Sequence, residues 1–263
     1  MIMTEKEERA LRDFTLLSNS FMMTFFQDLS FVQKVLRKIL SKPNLIVTEV
    51  QTEYALQNLQ KHSARLDILA VDAENKYYDI EIQCESKDFP PKRARYYSSI
   101  MDTKLLPIGE KYHLLPETYV IVIGKNDILG KNLPIYHIHR IIEESNELFA
   151  DETNIIYVNC QIAEATELGE LVHDLKCKNA SDMLDPDLAA RMRFLKESEE
   201  GKTKMCEVME RYKAEVATEV SQSEKQGFAK NMLRKGKLSY DEIADYSGLP
   251  VEIILKLAKE QSA

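Results

Sequence analysis

Asp67, Glu81 and Gln83 are the side chains whose types and spacing point to chemistry. They lie in residues 65–71 (RLDILAV) and 77–83 (YYDIEIQ), two segments in which polar and apolar residues alternate around a polar connection. This pattern predicts a β-hairpin. Because side chains alternate between the two faces of a strand, the two acids and the amide are expected on one face.

A hairpin symmetric about Glu74 would pair residues whose numbers sum to 148, which places Asp67 directly opposite Glu81. Like charges in opposite positions destabilise a strand pair by some tenths of a kcal/mol or more. A hard divalent cation such as Mg²⁺ or Mn²⁺ would offset that repulsion, since it binds carboxylates together with water and phosphate oxygens. Gln83 could then orient a water or a phosphate oxygen. The pair therefore indicates phosphodiester chemistry.

A second interpretation stays open on the pattern alone. Acidic residues are ordinary on the solvated face of a half-buried hairpin, where they need no ligand. The same two interpretations apply to Glu53, which precedes the hairpin: it could be an accessory metal ligand or a surface residue.

A basic and aromatic segment follows the hairpin after Pro90 and Pro91, and a proline at the first turn favours a helix. Its candidate DNA- or phosphate-binding residues are Lys92, Arg93, Arg95 and Tyr96. Cations here could neutralise phosphates. The alternative is a solvated helix face with its tyrosines in the core.

The elements around these residues alternate between helix and strand. Apolar residues at three- and four-residue steps predict helical structure in the first forty residues, ending at 41–44. Residues 45–50, 119–124 and 154–159 are predicted strands, and 143–148 a connecting helix. The order predicts an α/β fold, a mixed sheet flanked by helices.

The chain loses its strand pattern at about residue 188. We expect a main domain over 1–187, a charged helical linker over 188–226 and a small helical, helix-turn-helix-like module over 227–263, forming a C-terminal helical extension. The last predicted helix has few side chains suited to reading bases. Packing or homo-oligomerisation through the C-terminal helices is the better interpretation.

Composition excludes several classes of protein. With 263 residues, 44% of them hydrophobic, and only eight glycines and eight prolines, the chain is neither disordered nor collagen-like. It has no run of about 20 apolar residues, so we expect no membrane span. Four scattered cysteines and a charged N-terminus predict a cytoplasmic protein. A net charge of −8 argues against indiscriminate nucleic-acid binding but allows a local basic patch.

The motifs, taken in order, resemble the PD-(D/E)XK nuclease superfamily, and more closely its branch of PD-(D/E)XK nuclease family transposases, or recombination-promoting nucleases. The resemblance covers roughly residues 14–176. It depends on RLDILAVD, YYDIEIQ, KRARYYSSIMD, LLPIGEKYHLLPETYVIVI and NIIYVN.

This resemblance implies a restriction-endonuclease-like fold and a metal-dependent DNA endonuclease associated with recombination or transposition. Asp67 and Glu81 match the metal-binding acids, and Gln83 occupies the place of the superfamily's lysine, as is usual in this branch. A second departure is residues 19–24 (NSFMMT), which lack the acid and the lysine that the branch commonly has there. The alternative is a catalytically impaired, nuclease-derived protein that binds DNA or another protein.

Overall fold

The computed structural model describes residues 3–56, 64–83, 89–235 and 238–261. The chain forms two compact units, Met1–Cys206 and Glu207–Ala263. The first contains the sheet and the second is helical. The three-part division of the chain at residues 187 and 226 stays a prediction.

Three helices precede the sheet: α1 (Glu5–Asp13), α2 (Asn19–Phe25) and α3 (Leu29–Leu40). The single helical face expected over this region is therefore corrected. A new helix, α3, begins after Asp28, whose carboxylate caps it by accepting the backbone N–H of Ser30. The end of α3 falls at the predicted break.

The described residues that follow include eight strands, and six of them form the main sheet. The strands are β1 (Val47–Leu56), β2 (Ala64–Asp72), β3 (Tyr77–Gln83), β4 (Thr118–Gly124), β5 (Ile135–Ile138), β6 (Ile141–Ile142), β7 (Glu147–Leu148) and β8 (Thr153–Asn159). The sheet order is β1-β2-β3-β4-β8-β5. The strands β1, β2 and β3 pair antiparallel, β3, β4 and β8 pair parallel, and β5 pairs antiparallel with β8.

The connection between β4 and β8 differs from the prediction. Residues 143–148 were expected to form a helix, which is wrong: Ile141 pairs with Leu148 in a short hairpin. Asn146 takes a positive φ of 55° in its turn, a conformation that asparagine tolerates better than most residues. This local turn chemistry outweighs the helical propensity of the surrounding glutamates.

The parts of the chain that the structure describes contain six more α-helices: α4 (Pro91–Leu105), α5 (Glu167–Lys176), α6 (Pro186–Glu197), α7 (Glu199–Lys235), α8 (Tyr240–Ser247) and α9 (Val251–Gln261). The predicted helix after the two prolines is thus confirmed as α4, with Pro91 in its first turn. None of the helices within the described ranges is both long and apolar enough to cross a membrane.

The sheet has a different covering on each face. Alternate residues of the central strands, such as Ile80 and Ile121, join side chains of α2, α3, α5 and α6 in the larger core. On the other face, Val120 and Val122 pack against Tyr97 and other residues of α4. Every residue of β4 is buried, as its uninterrupted apolar sequence predicts.

The C-terminal unit has its own small core, in which Ala229, Ile243, Leu249 and Ile254 are buried. Gly248 ends α8 in the left-handed conformation. The mixed sheet flanked by helices, followed by a C-terminal helical part, confirms the predicted fold class.

Candidate functional site

The hairpin of β2 and β3 has the register that the sequence predicts. Ile68 pairs with Ile80 and Leu69 pairs with Asp79, so the numbers of paired residues sum to 148. The turn between the strands is held by the backbone N–H of Asp72, which donates to the carbonyl of Lys76 over 3.1 Å. The next position in this register brings together Asp67 and Glu81.

Asp67 and Glu81 each accept a backbone N–H from the strand that carries the other acid. The backbone N–H of Asp67 donates to Glu81 Oε1 over 2.9 Å. The backbone N–H of Ile82 donates to Asp67 Oδ2 over 3.0 Å. Each bond uses one oxygen of a carboxylate, and Asp67 Oδ1 and Glu81 Oε2 take part in neither. The two acids are therefore held in place by the backbones of neighbouring strands.

A third acid, Asp79, lies on the same face of β3. It is fully buried, and Glu81 is only 1% exposed. When ionised, the carboxylate of Asp79 accepts no hydrogen bond from the described residues, whereas the protonated carboxyl can donate to the side chain of Glu81. An unpaired buried carboxylate is costly unless it is protonated or close to a cation. Three acids thus meet on the face that α4 covers.

Burial makes all three acids harder to ionise. It is the main cause that raises the pKa of Asp67 to about 6 and that of Glu81 to about 8. The charge of Asp67 adds to the effect on Glu81. The pKa of Asp79 lies well above its usual value because of burial and the charges of Glu81 and Asp67. Binding of a cation would reverse this preference for the protonated form.

Arg93 is the cation of α4 that faces this cluster. Its guanidinium lies 3.8 Å from Glu81 Oε2 and donates to the Tyr97 hydroxyl over 2.9 Å. It also stacks over the ring of Phe89, 4.4 Å from the centroid. This contact with Arg93 lowers the pKa of Glu81 but does not outweigh burial.

The four predicted DNA-binding residues of α4 do not form one group. A helix turns about 100° per residue, so positions two apart point in very different directions. Arg93 faces the acids, whereas Lys92 and Arg95 are exposed and line a separate cavity of about 300 Å³, together with Arg140. Tyr96 is half-buried against the core of the α4 face.

Gln83 is the last residue of β3, on the same side of the strand as Glu81. Its side chain is half-buried, and its backbone carbonyl accepts the N–H of Lys125 over 2.9 Å. It pairs with Gly124 of β4, where an added Cβ would lie 2.8 Å from the carbonyl oxygen of Asn126. The amide therefore lies two residues beyond Glu81 on the same face, where the parallel strands β3 and β4 both end.

Glu53 lies on the opposite flank of Asp67. Thr52 pairs with Ile68 and Tyr54 with Leu66, so Glu53 occupies the position beside Asp67, with a φ of 56°. Its charge contributes to the raised pKa of Asp67. The structure thus puts Glu53 near the acids, half-buried in a strand.

Residues 19–24, where the sequence lacks an expected acid and lysine, belong to α2. Phe21, Met22 and Thr24 of this segment are buried in the larger core. The segment contributes apolar packing on the face of the sheet opposite to the acids.

The acids suit a hard cation that is shared with water and substrate. Within the described ranges, three ligand atoms lie within 4.8 Å of one another only at His173, Asp174 and Cys177. Among the described residues, the hairpin therefore offers two adjacent carboxylates and a buried third, without a closed cage of protein ligands. Such open carboxylate sites are typical of Mg²⁺, which keeps several waters. Asp79 fits the same conclusion, because nearby positive charge would stabilise the ionised form of its buried carboxyl.

Sequence reasoning missed Asp79 as a member of the site. The signal was present in the alternation YYDIEIQ, which puts Asp79 two residues before Glu81. Its complete burial depends on α4, and alternation within one strand does not report that covering.

A family model described as "PD-(D/E)XK nuclease family transposase" matches residues 27–244 of the chain. The match includes α3, every strand of the main sheet and α4. No curated protein and no solved structure matches the chain.

Proposed function

Because the chain belongs to the PD-(D/E)XK nuclease family transposases, we propose that it is a DNA endonuclease that hydrolyses phosphodiester bonds with Mg²⁺ or Mn²⁺. The observation that carries the proposal is that Asp67 and Glu81 are each fixed by a backbone N–H of the neighbouring strand, on the sheet face that α4 covers. This arrangement sets two carboxylates side by side at fixed positions. Its link to recombination or transposition follows the family description.

Asp67 and Glu81 are the proposed metal ligands, through Asp67 Oδ1 and Glu81 Oε2, the oxygens that accept neither backbone N–H. When bound, the cation supplies Lewis-acid polarisation of the phosphodiester and of the attacking water. Since both acids have raised pKa values, they release their protons when they take up this role.

Gln83 and Arg93 are the proposed assisting residues. The Gln83 amide can orient the attacking water or a phosphate oxygen by hydrogen bonding. Arg93, held beside Glu81 by Tyr97, supplies the positive charge that lysine would otherwise provide for a phosphate in the transition state. Lys92 and Arg95, with Tyr96 beside them, are proposed contacts to the DNA backbone.

A nuclease-derived protein that binds DNA or a partner without cutting is the second candidate. One observation favours it: both acids have hydrogen-bond donors without any cation. A titration with Mn²⁺ separates the two functions, because the second needs no metal. We also propose a cytoplasmic location, where the free cysteines among the described residues (Cys160, Cys177 and Cys206) stay reduced. Homo-oligomerisation through the C-terminal helices is a further proposal.

Cleavage of supercoiled plasmid DNA tests the endonuclease. Nicking should require Mg²⁺ or Mn²⁺, stop with chelator, and disappear in Asp67→Asn, whose amide oxygen can still accept the N–H of Ile82. Asp102→Asn is the matched control, since Asp102 is a partly buried acid on α4 whose charged neighbours are Arg140 and Asp151. Cleavage that survives Asp67→Asn, or that is equally lost in Asp102→Asn, would overturn the assignment.

A further inference from the structure

The last turn of α5 brings a histidine, an aspartate and a cysteine together, away from the hairpin. His173 Nδ1 lies 3.1 Å from Asp174 Oδ1 and 3.7 Å from Cys177 Sγ. All three ligand atoms lie within 4.8 Å of one another. His173 and Cys177 are four residues apart, a spacing that places side chains on the same side of a helix.

The arrangement does not suit a cysteine nucleophile. A catalytic triad needs the acid on one ring nitrogen of histidine and the nucleophile on the other. Here both Asp174 and Cys177 approach the same nitrogen, Nδ1. One nitrogen cannot donate a proton to the acid and accept one from the thiol at the same time. In the metal-free protein the Cys177 thiol also lies 3.4 Å from the carbonyl oxygen of His173 and 3.5 Å from that of Asp182, which can accept its S–H. Once that proton is lost, the three electron-pair donors are better matched by a cation.

The distances agree with a tetrahedral metal site. Zinc bonds of roughly 2.0–2.3 Å to nitrogen, oxygen and sulfur, at tetrahedral angles, put the nitrogen and oxygen about 3.4 Å apart and the nitrogen and sulfur about 3.6 Å apart. The observed separations of 3.1 and 3.7 Å are close to these values.

We propose that His173, Asp174 and Cys177 bind a zinc-class divalent cation, with water as the fourth ligand. One nitrogen, one sulfur and one oxygen are the donors that Zn²⁺ takes, and thiolate disfavours Mg²⁺ and Ca²⁺. The His173 side chain is 43% exposed, which leaves a path for the ion and a position for water. On binding, the cation replaces the thiol proton, which passes to solvent.

Hydrogen bonds already hold the aspartate in place. Asp174 is fully buried and accepts the backbone N–H groups of Leu184 and Asp185 over 2.7 and 2.9 Å. Second-layer bonds of this kind fix the direction of a ligand. Asp185 is the N-cap of α6. A cation here would therefore link the end of α5 to the start of α6 and stabilise that connection.

This site is independent of the proposed endonuclease. Leu171, Val172 and Leu175 of α5 pack in the larger core, on the face of the sheet opposite to α4 and the acids. Asp67→Asn should therefore leave cation binding at α5 unchanged, and loss of the α5 site should leave binding at the hairpin unchanged.

Titration of the reduced full-length protein with Co²⁺ tests the inference, because a cysteine thiolate bound to cobalt gives a charge-transfer absorption that carboxylate sites lack. We expect this absorption at one equivalent, and competition by Zn²⁺. It should disappear in Cys177→Ser. In His173→Ala the affinity should fall at least about tenfold, since loss of a ligand costs more than loss of its second-layer partner.

Cys206→Ser and Cys160→Ser are the matched controls, since both are buried thiols outside this cluster. They and Asp67→Asn should keep the absorption. If the wild type shows no thiolate band, if the band survives Cys177→Ser, or if it is lost equally in Cys206→Ser, the site does not exist as proposed. His173→Ala keeps the test decisive if Cys177→Ser folds poorly, because His173 is partly exposed; unchanged cobalt affinity in this variant would also overturn the inference.

Discussion

Asp67 and Glu81 each accept a backbone N–H from the strand that carries the other: the donor to Glu81 is Asp67 itself, and the donor to Asp67 is Ile82. The carboxylates thus take the place of strand carbonyls just beyond the pair Ile68 and Ile80. Their positions are set by the sheet, and side-chain freedom contributes little. This is the preorganisation that a metal-binding pair requires.

The stability of the metal-free protein should fall as pH rises from about 5 to 8. An acid whose pKa is higher in the folded state binds its proton more tightly there, so stability decreases between the unfolded and folded pKa values. For Glu81 this interval runs from its ordinary 4.5 to about 8, and for Asp67 from 3.8 to about 6. We expect a loss above about 1 kcal/mol, the value of one pKa unit. Urea denaturation in chelator measures it.

Asp79→Asn provides the comparison for this pH dependence. Its carboxyl is buried with a raised pKa, so the substitution should increase stability at pH 8 more than at pH 5. His137, whose pKa is lowered by burial, acts in the opposite direction but is common to both proteins. Asp127→Asn should show no such divergence, because the pKa of Asp127 is lowered and titrates below this range. Parallel pH profiles of wild type and Asp79→Asn would contradict the prediction.

The register and the shared face of the acids could be predicted because a strand has a period of two and the turn is symmetric. The burial of the acids could not be predicted in this way, since α4 covers them from a later part of the chain. The different surroundings of Arg93 and Arg95 follow from the helical repeat, because two residues that are two positions apart on a helix point in very different directions. The short hairpin at Ile141 and Leu148 was not predicted, because strands of two residues are too short to show an alternating pattern. The turn that forms it depends on the single residue Asn146.

Gly201→Ala should destabilise the first unit. Gly201 is buried near the start of α7, and an added Cβ would lie 2.1 Å from the carbonyl oxygen of Phe194, so the backbone would have to move. Overpacking of this kind costs about 1–3 kcal/mol. Gly227→Ala in the same helix is the control: no described atom lies within 4 Å of its added Cβ, and the gain in helix propensity should stabilise by about 0.5–1 kcal/mol. The unfolding temperature measured by calorimetry should fall in Gly201→Ala and rise in Gly227→Ala. Equal shifts in the two variants would contradict the prediction.

Arg93→Met should lower the rate of DNA cleavage without lowering Mn²⁺ affinity. Arg93 lies beside Glu81 but repels a cation, so its removal leaves the ligands intact and takes away positive charge from the transition state. Loss of one such group typically costs about 10²–10³-fold in kcat. Calorimetry with Mn²⁺ and single-turnover cleavage give the two quantities.

Arg95→Met is the contrast to Arg93→Met on the same helix. Arg95 is exposed and faces the separate cavity with Lys92. We expect weaker DNA binding, a smaller dependence of binding on salt, and an unchanged kcat at saturating DNA. If Arg95→Met lowers kcat as much as Arg93→Met, the assignment of the two arginines to different roles is wrong.

Gln83→Ala should reduce cleavage by about 10–100-fold, as expected for a residue that orients the nucleophile without binding the metal. Its position at the end of β3, one strand period beyond Glu81, lets a longer cationic side chain reach the same space. Gln83→Lys should therefore recover most of the lost rate, whereas Mn²⁺ affinity should stay within about threefold of wild type in Gln83→Ala, since only ligand or second-layer losses cost 10-fold or more. Single-turnover cleavage and Mn²⁺ calorimetry decide the matter: an equal loss of metal binding and cleavage in Gln83→Ala would make Gln83 a ligand, and full activity in that variant would remove it from the site.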